Sequence, residues 1–150
     1  MAGVNIVAVP YKGSGPSLVA LLGREVQLMF PSTTSAAPHV REGRVRALAV
    51  TSAQPSALFP DLPTVSNAGV PGYASVALIA FFAPAKTPAA VIARLNQEIV
   101  RALAGIDLKE KFLKVGVEPA TSTPEQLAVA MKTDMAVLGK VVKDVGIRAD

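Results

Sequence analysis

Asn5-Ile6-Val7-Ala8-Val9, then Pro10-Tyr11-Lys12-Gly13-Ser14-Gly15, then Pro16-Ser17-Leu18-Val19-Ala20-Leu21-Leu22 closed by Gly23, is the stretch on which the fold turns. Its first five residues are mostly apolar and β-branched, the composition of a strand. The middle is a glycine-containing turn. The last seven are apolar and unbranched enough for a helix, with proline where a first helical residue needs no N–H and glycine just past the end. Strand, short loop and helix in that order make half of a β-α-β unit.

The same order repeats outward. Val26–Phe30 reads as a second strand, Ser32-Thr33-Thr34-Ser35 offers several N-cap hydroxyls, Ser35–Glu42 reads as a helix stopped by Gly43, and Val45–Val50 reads as a third strand. Alternation with connections this short predicts an α/β fold, a parallel sheet flanked by helices. From Thr51 to Pro63 three prolines and two serines predict an extended connection, a place for a hinge. Val76–Ala83 is nearly all apolar and predicts a strand buried on both faces, ended by Pro84.

The remainder is helical in pattern. Thr87-Pro88 opens a helix to about Ala104 with Ile92, Leu95, Ile99 and Leu103 on one face, and Leu108–Val115 predicts a shorter one ended by Gly116. Thr123-Pro124-Glu125-Gln126 has capping-box spacing before a long helix. Leu127, Met131, Met135, Leu138, Val142 and Val145 fall on one face of it, and Gly146 terminates it.

Composition narrows the function classes. Of the 150 residues 51% are hydrophobic and only 17% charged, so a sizeable core is affordable while little charged surface is available to cover it. Apolar surface is therefore expected to meet a partner or further chain. No apolar run reaches the roughly 18 residues of a membrane span. No basic, apolar and small-residue signal pattern opens the sequence, so if the parent protein is exported its signal is expected outside this stretch. With zero cysteines there is neither disulfide nor thiolate chemistry. The net charge of +4 comes from lysines and arginines spread singly from Lys12 to Arg148, without the stripe or aromatic interleaving of a nucleic-acid surface.

Candidate catalytic residues are few. His39 is the only histidine, with no serine or carboxylate at triad spacing, so a structural role is expected and no catalytic residue is assigned. The acids show no compact metal spacing, no metal site is assigned, and Asp107 and Glu110 suit a helix start electrostatically. Gly13-Ser14-Gly15 lacks the lysine and the spacing of a phosphate loop, and no cofactor is expected. What remains is simpler. Tyr11–Ser17 and Met29–Ser35 each join a strand to a helix N-terminus, where free N–H groups and the positive end of the helix suit an anion. In an open parallel sheet both loops lie at the carboxyl ends of strands. Gly13, Ser14, Gly15, Ser17, Ser32 and Thr33 are the candidate ligand-binding residues, although any βα connection needs glycine and capping residues with or without a ligand.

Val9-Pro10-Tyr11-Lys12-Gly13, Leu22-Gly23, Met29-Phe30, Pro38-His39-Val40 and the run Gly43-Arg44-Val45-Arg46-Ala47-Leu48-Ala49-Val50-Thr51-Ser52 together resemble the Bug (TctC-like) family of periplasmic solute-binding proteins. Pro60-Asp61-Leu62-Pro63-Thr64-Val65, Ala68-Gly69-Val70-Pro71-Gly72-Tyr73, Ala83-Pro84-Ala85-Lys86-Thr87-Pro88 and Thr123-Pro124-Glu125 continue the resemblance in order, over nearly the whole chain. It implies a two-lobed, type II-like periplasmic-binding fold, and a non-catalytic receptor that clamps a small carboxylate for uptake through tripartite tricarboxylate transporter subunits in the membrane. It also implies a periplasmic parent and carboxylate capture by N–H groups, hydroxyls and water at the loops Gly13–Ser17 and Phe30–Thr33. Two departures stand out: Pro31-Ser32 where many members carry Asp-Asn, and Leu78, with no tryptophan anywhere, where many carry Trp.

The resemblance is to the C-terminal half of such receptors. Residues 1–53 and part of 54–75 are expected to form most of the second lobe, and 76–150 a strand and helices that return to the first. Uncovered faces in that arrangement predict a homodimer or strand exchange. The alternatives are a small α/β enzyme, a hydrolase or transferase, and an interaction fragment without a small-molecule ligand.

Overall fold

The structure, a computed structural model, describes residues 2–146 and divides into two compact units. The first comprises Met1–Phe81 and Lys109–Glu118, and the second Phe82–Leu108 and Pro119–Asp150.

In the first unit α1 (Ser14–Leu22) packs against α2 (Thr33–Arg41), burying Leu18 and Ala20 of the one and Ala37 of the other. Both helices begin two residues earlier than local signals predict. Pro16 is thus the third residue of α1, still inside the first turn, where an N–H would have no partner in the helix. Ser32 becomes the N-cap position of α2, with extended backbone. The proline-rich segment after Val50 curls back on itself. Val50 and Thr64 form a parallel bridge in which Val50 N–H donates to Pro63 O at 2.9 Å and Val65 N–H to Val50 O at 2.9 Å. Thr64, 1% exposed, accepts from Asn67 N–H through its hydroxyl. Most of α4 (Ile106–Lys114) also belongs here, followed by a turn that ends at Glu118.

Four runs read as strands need correction. Asn5–Val9, Val26–Phe30, Val45–Val50 and Val76–Ala83 form no ladder; the bridge at Val50 is the single β pairing among the described residues. Apolar, β-branched composition states a preference for a pleated, covered surface, but a strand exists only where a neighbour accepts its N–H and C=O groups. Nor is Val76–Ala83 buried on both faces: Ile79 is 88% exposed and Phe81 76%. What these runs lack is a covering neighbour.

The second unit carries α3 (Ala89–Leu103) and α5 (Pro124–Val145). Asn96 Nδ2 donates to Ser122 O at 2.9 Å, tying α3 to the entrance of α5. There the capping box forms as its spacing predicts: Gln126 N–H donates to Thr123 Oγ1 at 3.2 Å and Thr123 N–H to Gln126 Oε1 at 2.9 Å. Gly146, in the left-handed region, ends the helix. Neither helix has a fully buried residue, and Met135 and Leu138 of the apolar stripe are 72% and 57% exposed.

Replacing Thr123 by Ala is expected to weaken the first turn of α5 by about 1 kcal/mol, the usual worth of such a cap. Faster amide exchange confined to that turn would show it, and unchanged exchange would refute it. The Thr123 hydroxyl, followed by its own backbone N–H, holds the Glu125 carboxyl below the ordinary carboxylate range. A group lowered in this way stabilises the folded turn above its unfolded-state pKa and stops doing so as pH falls through the lowered value. The turn should therefore fray in acid, and less so in Glu125→Gln.

Candidate functional site

The two helix N-termini of the first unit open onto one hollow of about 420 Å³, lined by Val9, Tyr11, Gly13, Ser14, Ser17, Met29, Phe30, Pro31 and Ser32. It forms because α1 and α2 each follow a short connection, and their mutual packing brings both first turns to the same side of the unit. Four of the six candidate residues, Gly13, Ser14, Ser17 and Ser32, share this hollow; Gly15 and Thr33 stand beside it without lining it.

Hydrogen bonding sorts the donors. The Ser17 hydroxyl is turned back onto its own helix, donating toward Gly13 O at 3.0 Å and Ser14 O at 3.1 Å, so its proton is committed while its oxygen can still accept. Ser32 Oγ lies 2.9 Å from Thr34 Oγ1 and 3.0 Å from Ser35 Oγ, a hydroxyl cluster over the start of α2. Thr33 Oγ1 donates away from the hollow, to Gly116 O at 2.5 Å. The donors free to meet an anion are the backbone N–H of Ser14, which lines the hollow, and beside it those of Gly15 on α1 and of Thr33 and Thr34 on α2. These first-turn positions have no acceptor within their helices. Two helix ends bring partial positive charge to one place, and the Ser14 and Ser32 hydroxyls adjoin it.

The walls are apolar and aromatic. Val9 is 53% exposed and Phe30 64%, so these side chains face into open space instead of closing a core. Tyr11 also lines the hollow. A small anion with a short carbon skeleton matches this mixture: charge at the helix ends, hydrocarbon against Val9, Met29 and Phe30.

His39 lies on α2 outside this lining, half-buried, with its Nδ1 enclosed and lacking a hydrogen-bond partner. No nucleophile pairs with it among the described residues, and no cluster of three metal-ligating side chains occurs among them. What sequence reading missed is the turn at Gly116 and Glu118, which bonds to the start of α2 and to the segment after Pro55. Partners 83 residues apart leave no local signal.

Comparison with known proteins shows which family and fold the chain shares. The sequence pattern of the tripartite tricarboxylate transporter family receptor matches residues 1–147. A UPF0065 protein from the tcbD-tcbE intergenic region of Pseudomonas sp. strain P51 is 35% identical over 99% of the chain and 45% of its own length. Among solved structures, an R. palustris protein with adipate superposes with a TM-score of 0.84 at 34% identity, covering 97% of this chain and 48% of that one. The periplasmic binding protein BugD gives 0.78 at 31% identity, covering 99% and 50%. MatC from Rhodopseudomonas palustris with bound malate gives 0.71 at 33%, covering 93% and 48%. The chain thus has the α/β fold of periplasmic binding proteins and spans about half the length of these relatives.

Proposed function

The chain belongs to the tripartite tricarboxylate transporter receptor family, and on that premise we propose that it is a ligand-binding portion of a periplasmic receptor for a small dicarboxylate. It binds without chemical change and delivers the solute to membrane transporter subunits. The observation that carries this reading is the convergence of two helix N-termini on one apolar-walled hollow. Adipate and malate, held by two of the similar structures, are both dicarboxylates on short carbon chains. Here one carboxylate would accept from the first-turn N–H groups of α1 and α2 and from the Ser14 and Ser32 hydroxyls. The carbon chain would lie against Val9, Met29 and Phe30, and Lys12 would add long-range attraction.

Receptors in two lobes draw affinity from both walls of a cleft. Residues 1–53 with part of 54–75 form most of one lobe in this reading, Lys109–Glu118 packs into the same unit, and most of the rest of 76–150 completes the other lobe, so the present chain supplies one wall and binds weakly. Pro31-Ser32 leaves no acidic side chain at the start of α2, which suits a dianion better than an amino acid bearing an ammonium group. The uncovered apolar faces of residues 76–83, α3 and α5 carry the further proposal that the isolated chain associates with itself.

Thermal unfolding in the presence of adipate, malate, a tricarboxylate and a monocarboxylate tests the reading. A ligand at about a hundred times its dissociation constant stabilises by roughly 2.7 kcal/mol, enough to raise the midpoint by several degrees in a domain of this size. Dicarboxylates are expected to shift the midpoint more than the monocarboxylate. A folded chain whose midpoint moves with none of them would refute recognition by these loops.

A further inference from the structure

We infer that the turn following α4 is a positioning element for the carboxylate-binding end of α2, with Gly116 and Thr33 as its two contact residues; this rests on the function proposed above. Gly116 is buried and has φ +80, a left-handed conformation that glycine adopts without steric cost. Its carbonyl accepts the Thr33 hydroxyl at 2.5 Å. A Cβ added at Gly116 would stand 3.1 Å from Thr33 C, Thr33 O and Thr34 Cα, all backbone atoms that cannot swing aside. The absence of a side chain at 116 therefore lets the turn lie directly on the first two residues of α2. The N–H groups of those residues, next to the Ser32 that lines the hollow, are donors to the anion in the function proposed above.

The turn is itself held from behind. Gly116 N–H donates to Leu113 O at 3.0 Å and Val117 N–H to Phe112 O at 2.9 Å, closing the end of α4. Two residues on, the Glu118 carboxylate accepts from the Ser56 hydroxyl and, at 3.3 Å, from Leu58 N–H. Ser56 is only 8% exposed. The turn thus links the segment after Pro55 to the start of α2. N–H donors bind an anion more tightly when their directions are fixed before it arrives, so a contact that fixes the backbone of Thr33 and Thr34 bears on affinity although it touches no ligand. Thr33 serves recognition through its hydroxyl's grip on Gly116 and its backbone N–H.

Amide hydrogen exchange on the whole chain, compared among wild type, Gly116→Ala, Thr33→Val and Thr33→Ser, reads the positioning without any ligand. Ser35 and Ala36, whose N–H groups donate to Ser32 O at 3.1 Å, report on the first turn of α2, and the amides of α1 serve as the internal reference. Forcing an L-residue into the left-handed region against backbone is expected to speed exchange at Ser35 and Ala36 by about tenfold or more while α1 is unchanged. Thr33→Val should do the same and Thr33→Ser should restore protection. Unchanged exchange at these two amides in Gly116→Ala would overturn the proposal. So would acceleration spread equally over α1, which would mark Gly116 as a general stability residue. A titration with adipate on the same samples separates the two claims: wild type that binds nothing counts against the proposed function, while the exchange result still decides the positioning role.

Discussion

Alone in dilute buffer at micromolar concentration, the 150-residue chain is expected to sediment at twice its 15.5 kDa mass or more. Its accessible surface is 11880 Å². The scaling for closed monomers gives about 7,200 Å² at this mass, and about 8,700 Å² even if the two units are counted as independent bodies. An excess of roughly 3,000 Å² or more on one chain is in the range that obligate partners bury, well above what transient contacts cover. The excess is apolar where it matters. Val7 is 78% exposed, Ile79 88% and Phe82 72% in runs with strand composition, and the stripes of α3 and α5 bury no residue fully. Unpaired backbone beside such side chains offers an edge for another chain to join. Ile79→Lys and Met135→Lys should each raise the monomer fraction, because a charge at the seam must be desolvated on association. Sedimentation velocity over a concentration series checks this. A monodisperse monomer with sharp, concentration-independent unfolding would refute it and would mean that the apolar faces find cover within one chain.

Ser32→Asp should weaken dicarboxylate binding at least tenfold while leaving the unfolding midpoint unchanged or raised. The opposed signs make the test informative. Asp is as good an N-cap as Ser, and a negative charge at a helix start adds roughly 0.3–1 kcal/mol of stability. In the hollow the same carboxylate competes for the N–H groups of α2 and repels the ligand. Two like charges about 4 Å apart at an effective dielectric of about 20 repel by about 4 kcal/mol, and a third of that is already a factor of ten in affinity. Calorimetric titration with adipate or malate, beside thermal unfolding of the free protein, reads both quantities. If affinity is retained in Ser32→Asp, the ligand does not approach the start of α2, and the site proposed here is misplaced.

Those expectations draw on parts of the protein that differ in how far sequence alone exposes them. The capping box at Thr123 and Gln126 and the stop at Gly146 are short-range devices; each hydrogen bond closes within a few residues, so the residue types suffice to announce it. Ser14 and Ser32 were visible for the same reason, since the N-terminus of a helix after a loop is a local event. Their meeting in one hollow was legible only through the expected order of strand, loop and helix. Even then Gly15 and Thr33, chosen by the same reasoning as their neighbours, stand outside the lining. A helix start turns successive residues by about 100°, and one residue of register decides which side chain faces the hollow.

Family, the α/β class and the helices are thus properties of residue type and spacing along this chain: periodicity, caps and the ordered series from Val9-Pro10-Tyr11 to Thr123-Pro124-Glu125 carry them without any long-range contact. Tertiary structure decided the rest. Only the folded backbone shows that the four apolar runs lack ladder partners among the described residues, because pairing depends on a neighbour that composition cannot specify. Only it shows Thr33 spending its hydroxyl on Gly116 and Glu118 reaching Ser56. Contacts over 62 and 83 residues depend on where the chain returns in space, and no local pattern encodes that return.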